Sequence, residues 1–76
     1  MNSDRRKQLE EARTKIDEAK AIIEACASEE REYYDNMHEN LQSGEKGTKA
    51  DETASALEEL DSTLEDVLSI IEEAVS

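Results

Sequence analysis

The sequence predicts an all-α protein: an antiparallel helical hairpin with heptad-patterned helices that assembles into a dimeric four-helix bundle or coiled coil. Apolar residues recur at alternating steps of three and four along two stretches of the 76-residue chain. Proline is absent, and the two glycines, Gly44 and Gly47, both lie between these stretches. A chain this short builds only a thin core, which favours self-association, and we expect at least a dimer.

The first helix is predicted over about residues 3–42. Ser3 can cap its N-terminus, and a heptad seam follows with large residues at position a and small ones at position d. The a row is Leu9, Ile16 and Ile23, and the d row is Ala12, Ala19 and Cys26. The thiol of Cys26 is therefore expected to be buried. Asp35 and Asn36 are poor helix formers, so the continuity of the helix beyond them is left open.

A turn is predicted over residues 43–48, followed by a second helix over about residues 49–75, within a single domain of residues 1–76. Gly44 suits the left-handed conformation that ends many helices. Thr48 and Asp51 have the spacing of an N-cap and its capping box. A hairpin folded at this turn brings Ile16 near Val75, and it leaves roughly a dozen N-terminal residues projecting as an overhang.

The second helix has the most regular heptads in the chain. Its a row is Ala50, Leu57, Leu64 and Ile71, and its d row is Thr53, Leu60, Val67 and Ala74. The large a residues of both helices form the predicted self-association seam, which is Leu9, Ile16, Ile23, Leu57, Leu64 and Ile71. The apolar stripe widens near the C-terminus, which is typical of a helix that contacts more than one neighbour.

Positions b and c of the second helix are acidic in every heptad. The b row is Asp51, Glu58, Glu65 and Glu72, and the c row is Glu52, Glu59, Asp66 and Glu73. The whole chain has 21 acids, nine bases and a formal charge of −12, which disfavours direct binding of nucleic acid or of anionic membranes. Two parallel rows of carboxylates can imitate a phosphate backbone. The alternative is the ordinary solvated outer face of a coiled coil.

The segment before the turn has a composition that is typical of binding hot spots. It contains both tyrosines and the single histidine, with amide side chains beside them. The predicted contact residues are Tyr33, Tyr34, Asp35, Asn36, Met37, Asn40 and Gln42. The alternative is that one tyrosine fills the core at this end while the other residues cap backbone groups.

This segment also carries a resemblance. The residues from Tyr33 to Met37, the pair Leu41-Gln42, the turn Glu45-Lys46-Gly47 and the acidic helix that follows resemble uncharacterised small acidic helical proteins of phages and bacteria. Members of that group often carry proline at the position of His38, which favours a helix break after Met37 in them. The resemblance implies a phage or prophage setting and no particular activity.

Little in the sequence supports catalysis, a metal or a cofactor, and we expect none. Asp35, His38 and Glu39 have a usable helical spacing, but one histidine without a second cluster makes a weak metal site. There is no glycine-rich phosphate loop and no Ser/His/Asp arrangement. A lone cysteine and the lack of a signal-like or membrane-spanning apolar run predict a cytoplasmic protein, in the host cell if a phage encodes it.

The leading hypothesis is a phage- or prophage-type accessory protein that binds a host protein through the acidic rows and the tyrosine segment. Nucleic-acid mimicry would make it an inhibitor of a defence or replication enzyme. The alternative is a self-assembling structural or adaptor protein, including a virion-associated one, that acts only through helix–helix contacts. A lower alternative is a small-ligand or nucleotide binder that uses Arg31, Tyr33, Tyr34 and Asn36.

Overall fold

Two long antiparallel helices form almost the whole molecule. In a computed structural model that describes residues 1–76, α1 spans Ser3–Asp35, α2 spans Glu39–Gln42 and α3 spans Glu45–Val75, with no strand. The helices α1 and α3 pack along each other in a rod with principal extents of 58 × 15 × 14 Å. The predicted all-α hairpin is therefore confirmed.

Helix α1 begins and ends on asparagine caps. The side chain of Asn2, rather than that of Ser3, accepts a hydrogen bond from the backbone N–H of Arg5 at 2.8 Å. At the other end Asn36 is the C-cap, and its N–H donates to the carbonyl of Glu32. The predicted single helix over 3–42 is therefore wrong beyond Asp35, because the poor helix formers Asp35 and Asn36 end it there.

The short helix α2 starts again at an extended residue, His38. The Nδ1 atom of His38 accepts from the N–H of Asn40, so the histidine caps the turn of helix that it precedes. The carbonyl of His38 accepts from Leu41 and Gln42. His38 therefore has a structural role in starting α2.

Helix α3 begins four residues earlier than predicted, at Glu45. Gly44 is its N-cap with φ −90° and ψ −176°, which is extended backbone and not the expected left-handed conformation. Thr48 lies inside the helix, where its hydroxyl donates to the carbonyl of Gly44 at 3.0 Å. The predicted N-cap at Thr48 with its capping box at Asp51 is therefore wrong, and the turn between α2 and α3 is only residues 43–44.

Gly47 explains why α3 can begin so early. It is a buried residue in the first turns of α3, where the backbone of α2 crosses the helix. A Cβ atom at Gly47 would overlap the carbonyl oxygens of Leu41 and Gln42 and the Cα of Gln42. Only glycine permits this approach, so Gly47 serves the packing of α2 on α3 rather than a turn conformation.

The register between the long helices differs from the one predicted from the turn. The predicted pairing would place Lys20 near Ile71, whereas Lys20 contacts Asp61 and Glu65, and Arg13 contacts Glu72. The shift amounts to roughly two helical turns. It also shortens the basic overhang, because residues 1–8 are exposed and Leu9 is the first half-buried residue of α1.

The two helices meet through rows a and e, not through rows a and d. Row e lies one position after row d, and all eight of its residues are buried or half-buried. They are Arg13, Lys20, Ala27 and Tyr34 in α1, and Ala54, Asp61, Leu68 and Val75 in α3. In row d, Ala19, Cys26, Leu60 and Ala74 are exposed. The expected burial of the Cys26 thiol is therefore wrong.

The core of the hairpin is thin. Its fully buried residues are small: Ala27, Gly47, Ala50 and Ala54. The predicted self-association seam of Leu9, Ile16, Ile23, Leu57, Leu64 and Ile71 is half-buried. These a-row residues share the contact face with row e, so they hold α1 against α3 within one chain. Part of the seam that was expected to join two chains is therefore used within the hairpin, and its role between chains stays a prediction.

Candidate interaction surfaces

The two acidic rows of α3 have different surroundings. Every carboxylate of the b row forms an ion pair with a base of α1: Asp51 and Glu58 with Arg31, Glu65 with Lys20, and Glu72 with Arg13. These three bases were not predicted as partners of the b row. The sequence contains a signal for two of these ion pairs. Arg13 and Lys20 are seven residues apart in one row, so they lie on the same face of α1.

Arg31 joins α1 to α3 near the tip through four hydrogen bonds from its guanidinium. Its Nε and Nη2 atoms donate to the two oxygens of Glu58 at 3.1 and 2.9 Å, and its Nη1 donates to Asp51 at 2.9 Å. Nη2 also donates to the hydroxyl of Ser55 at 3.2 Å, and the guanidinium lies 5.6 Å from the centre of the Tyr34 ring. The hydrogen bonds from Arg31 lower the pKa of the Glu58 carboxyl, and those carboxylates raise the pKa of Arg31.

Lys20 joins the helices near their middle. Its ammonium lies 3.2 Å from Glu65 and 3.2 Å from Asp61, and 3.4 Å from Glu24 in its own helix. The side chain of Lys20 is only 14 % exposed, so its aliphatic stem packs in the contact face while the charge reaches the rim. Hydrogen bonding to Glu65, then the neighbouring Asp61 carboxylate, raises the pKa of Lys20.

The c row is free. Glu52, Glu59, Asp66 and Glu73 are all exposed, and none of them forms a salt bridge. Residues seven apart on a helix lie about 10.5 Å apart along its axis, so these carboxylates form a line of roughly 30 Å. Of the two predicted acidic rows, one therefore stabilises the hairpin and the other is available to a partner.

Several of the predicted tip residues hold the end of the hairpin together. The amide nitrogen of Gln42 donates to the carbonyl of Tyr34 at 2.8 Å and so ties α2 to α1. Tyr34 is half-buried beneath Arg31, Met37 is half-buried, and Asn36 is the C-cap of α1. These positions match the interpretation in which one tyrosine fills the tip and other residues cap backbone groups.

The remaining tip residues are exposed. They are Tyr33, Asp35 and Asn40, together with Leu41, which is 52 % exposed. Tyr33 borders a cleft with Lys46, Lys49 and Thr53, whereas Arg31 and Asn36 border a separate cleft on the opposite side of the rod. The four residues considered for a nucleotide site therefore do not converge, and Arg31 already binds two carboxylates.

A largely apolar surface, here called the apolar face, lies on the side of the rod that carries Tyr33 and Thr53. It follows row d and row g, which precedes row a by one position, in both helices, and the charged residues Lys15, Glu29 and Lys49 interrupt it in row g. Its central members are Ala19, Ile22 and Cys26 from α1 and Leu60, Val67 and Ile70 from α3. Ile22 is 67 % exposed, Ile70 is 63 % exposed and Leu60 is 42 % exposed. The ion-pair networks border the cleft on the other side.

Neither Ile22 nor Ile70 was among the predicted site residues, although the sequence carries a signal for both. Ile22 directly precedes the a-row residue Ile23, and Ile70 directly precedes the a-row residue Ile71. These adjacent pairs make the apolar stripe wider than one neighbouring helix can cover. The tertiary structure was needed to show which edge of that stripe the hairpin itself covers.

The structure groups no three His, Cys, Asp or Glu side chains in a geometry that could hold a metal ion. None of its helices combines the length and apolar character of a membrane span. Comparisons with protein-family models, with curated proteins and with solved structures found nothing that matches this chain.

Proposed function

We propose that this protein acts by protein–protein contact, as a phage- or prophage-type accessory protein whose c row binds a basic surface of a host protein. The observation that supports this most directly is the division of the acidic rows. The b row is satisfied within the hairpin, whereas the c row has four exposed carboxylates that form no salt bridge. A surface of one charge sign steers a partner of the opposite sign and orients it.

The geometry favours a nucleic-acid-handling enzyme as the class of partner, because such enzymes carry grooves lined with Lys and Arg. The c row places one carboxylate about every 10.5 Å, against one phosphate about every 3.4 Å of strand. The row can therefore occupy part of a basic groove, and full imitation of a phosphate backbone would need the b row as well. In this proposal inhibition results from blocking the groove.

A pair of charge-matched variants tests the proposal. The triple variant Glu59→Gln, Asp66→Asn, Glu73→Gln removes three negative charges from the c row. The control variant Glu10→Gln, Asp17→Asn, Glu18→Gln removes three negative charges from exposed positions of α1 that form no salt bridge. Both variants have a formal charge of −9 instead of −12, so they differ in where the charge is changed.

Affinity capture from a bacterial host lysate, followed by mass spectrometry, is compared for the wild type and both variants. We expect a DNA- or RNA-processing enzyme to be recovered by the wild type and the α1 control and lost from the c-row variant. The interaction should also weaken as salt rises. Recovery by both variants would show that the c row is dispensable, and loss from both would show that net charge rather than the c row governs binding; either result would overturn the proposal.

A second candidate function is self-assembly as a structural or adaptor protein. The observation in its favour is that the hairpin fully buries only alanines and one glycine while the apolar face is exposed. This candidate predicts that function depends on the apolar face and that the c-row carboxylates are dispensable. The same c-row variant distinguishes the two, because self-assembly survives its three substitutions.

A further inference from the structure

We propose that the hairpin has two registers that lie one heptad apart, and that the ion pair of Lys20 with Asp61, here called the lock, holds it in the observed one. In the second register α1 slides past α3 by one heptad and merges with α2 into a single helix. The turn then covers residues 43–48, as predicted from the sequence. The proposal goes beyond the proposed function, because the c row lies outside the helix contact in both registers.

The first argument is that the a rows fill the helix contact in either register. The ion pairs of Lys20 place Ile23 level with the stretch between Leu57 and Leu64. A slide of one heptad moves Ile23 level with the stretch between Leu64 and Ile71. These α3 residues are all large aliphatics, so the a rows by themselves do not select a register.

The second argument is the construction of the tip. Only Asn36, Met37 and His38 separate α1 from α2, so a change at three residues joins the two helices. Leu41 belongs to row e, the row that faces the neighbouring helix, yet it is 52 % exposed in the observed register. In the merged helix Leu41 lies level with Ala50, against α3. The second register therefore covers an apolar side chain that the observed one leaves in water.

The third argument is an unused helix start. Thr48 and Asp51 have the spacing of an N-cap and its capping box, but α3 begins at Glu45, so Thr48 lies inside the helix. In the second register, with its turn over residues 43–48, this motif begins α3. The local signals around the turn thus favour the second register, and contacts between residues far apart in the chain hold the observed one.

The lock lies in row e near the middle of the rod. The side chain of Lys20 is only 14 % exposed, and its ammonium lies 3.2 Å from Asp61. The buried Oδ1 atom of Asp61 has no hydrogen-bond partner, so this ammonium is the group that compensates its charge. A slide of one heptad brings Lys20 level with Leu68, and it brings Asp61 level with Ala27. An uncompensated buried carboxylate oxygen is unfavourable, which disfavours the second register while both residues are present.

The other ion pairs between the long helices select a register weakly or not at all. Arg31 pairs with Asp51 and Glu58, which are seven residues apart in row b, and after the slide it meets Glu58 and Glu65 in the same arrangement. The pair of Arg13 with Glu72 belongs to the observed register only, but both side chains are about half exposed. Exposed pairs contribute little, so the lock is the main electrostatic difference between the registers.

The two registers present different tips to a partner. In the observed register Tyr33, Asn40 and Leu41 are exposed around α2. In the second register α2 no longer exists as a separate helix, and the tip consists of the turn over residues 43–48. A partner that binds one of these tips shifts the population toward that register.

Double electron–electron resonance between two spin labels tests the proposal. The labels are attached through Thr14→Cys and Ser55→Cys in a Cys26→Ser background; both sites are exposed and lie in row f, one position before row g. The observed ion pairs place these sites roughly 20 Å apart along the rod, and the slide lengthens this separation to roughly 30 Å. Dilution with unlabelled chain restricts the measurement to distances within one hairpin. With the lock intact we expect the shorter distance alone.

The variant Lys20→Leu, Asp61→Leu removes the lock and leaves no charge in the middle of row e. We expect the longer distance in at least about a tenth of the chains. The matched control Arg31→Leu, Glu58→Leu removes an ion pair between the same helices that both registers can form, and it should keep the shorter distance alone. The exchanged pair Lys20→Glu, Asp61→Lys restores the lock with reversed charges and should also keep the shorter distance.

Hydrogen exchange distinguishes the slide from fraying of the tip. The N–H groups of His38 and Glu39 form no backbone hydrogen bond in the observed register. In the merged helix they donate to the carbonyls of Tyr34 and Asp35, four residues before them. Both amides should therefore gain protection in Lys20→Leu, Asp61→Leu, whereas fraying would leave them unprotected.

A second variant approaches the same equilibrium from the tip. Asn36→Ala, His38→Ala removes the residues that end α1 and begin α2, and alanine favours one continuous helix. Added to Lys20→Leu, Asp61→Leu, it should raise the population of the longer distance further. The shorter distance alone in this combined variant would overturn the second register. A longer distance that appears equally in the Arg31→Leu, Glu58→Leu control would overturn the role of the lock.

Discussion

Replacement of Gly47 by alanine should destabilise the protein, although alanine is the better helix former. Gly47 lies within α3, and in an ordinary helix interior a change from glycine to alanine gains about 1 kcal/mol. Here the added Cβ would lie under 3.0 Å from backbone atoms of Leu41 and Gln42. Backbone atoms cannot rotate away, so α2 would have to move by roughly 1 Å to restore ordinary contact distances.

The magnitude follows from that displacement. Overpacking of this kind costs about 1–3 kcal/mol, and moving α2 also strains the hydrogen bond from Gln42 to Tyr34, worth about 0.5–1.5 kcal/mol. After the helix-propensity gain of about 1 kcal/mol, the free energy of unfolding should fall by about 0.5–3.5 kcal/mol. For a chain of this size the melting temperature should drop by at least about 2 °C.

The assay is thermal and urea unfolding followed by circular dichroism, with all proteins at one concentration because dimerisation would shift the apparent stability. Gly44→Ser is the matched control. A Cβ at Gly44 meets only the carbonyl oxygens of Asn40 and Leu41 at 3.6 Å, and serine is a better N-cap, so this variant should gain a few tenths of a kcal/mol. A Gly47→Ala protein as stable as the wild type would refute the role assigned to Gly47.

Two further stability predictions concern the contact between the long helices. Ala54 is 0 % exposed, so Ala54→Leu should force α1 and α3 apart and lower the free energy of unfolding by about 1–3 kcal/mol. As the control, Ala21→Leu on the exposed side of α1 should change the free energy of unfolding by less than about 0.5 kcal/mol. Because Arg31 lowers the pKa of Glu58 below its usual 4.5, this ion pair stabilises the fold above that pH, and its contribution is lost as the pH falls through the lowered pKa. Glu58→Gln should therefore melt below the wild type at pH 7 and approach it as the pH falls through the lowered pKa of Glu58; a difference independent of pH would contradict the assigned cause.

The residue patterns alone determined the type of structure. The three- and four-residue spacing from Leu9 to Ile23 and from Leu57 to Ile71 can bury an apolar row only if both stretches are helices. The single breaker region containing Gly44 and Gly47 requires the two helices to fold back as a hairpin. The acidic rows were also visible, because positions seven apart on a helix share one face whatever the tertiary contacts are.

Only the tertiary structure decided which edge of each apolar stripe forms the contact between the two long helices. Local sequence is compatible with contact through rows a and d or through rows a and e, since both lie within one apolar sector. In the structure row e faces inward, where the small residues Ala27 and Ala54 let the two helices approach closely, and long-range ion pairs such as that of Arg31 with Glu58 accompany this rotation. The start of α3 was likewise set by the approach of α2 to Gly47, a contact that no local signal encodes.

The same rotation of the helices determines the candidate surfaces. Because row e faces the partner helix, rows d and g of both helices come together on one side of the rod, and the free c row lies at its edge. The sequence by itself therefore determined an acidic helical hairpin with a shortage of core. The tertiary structure decided which carboxylates are neutralised, which remain free and which apolar residues are left uncovered, since each depends on contacts between residues far apart in the chain.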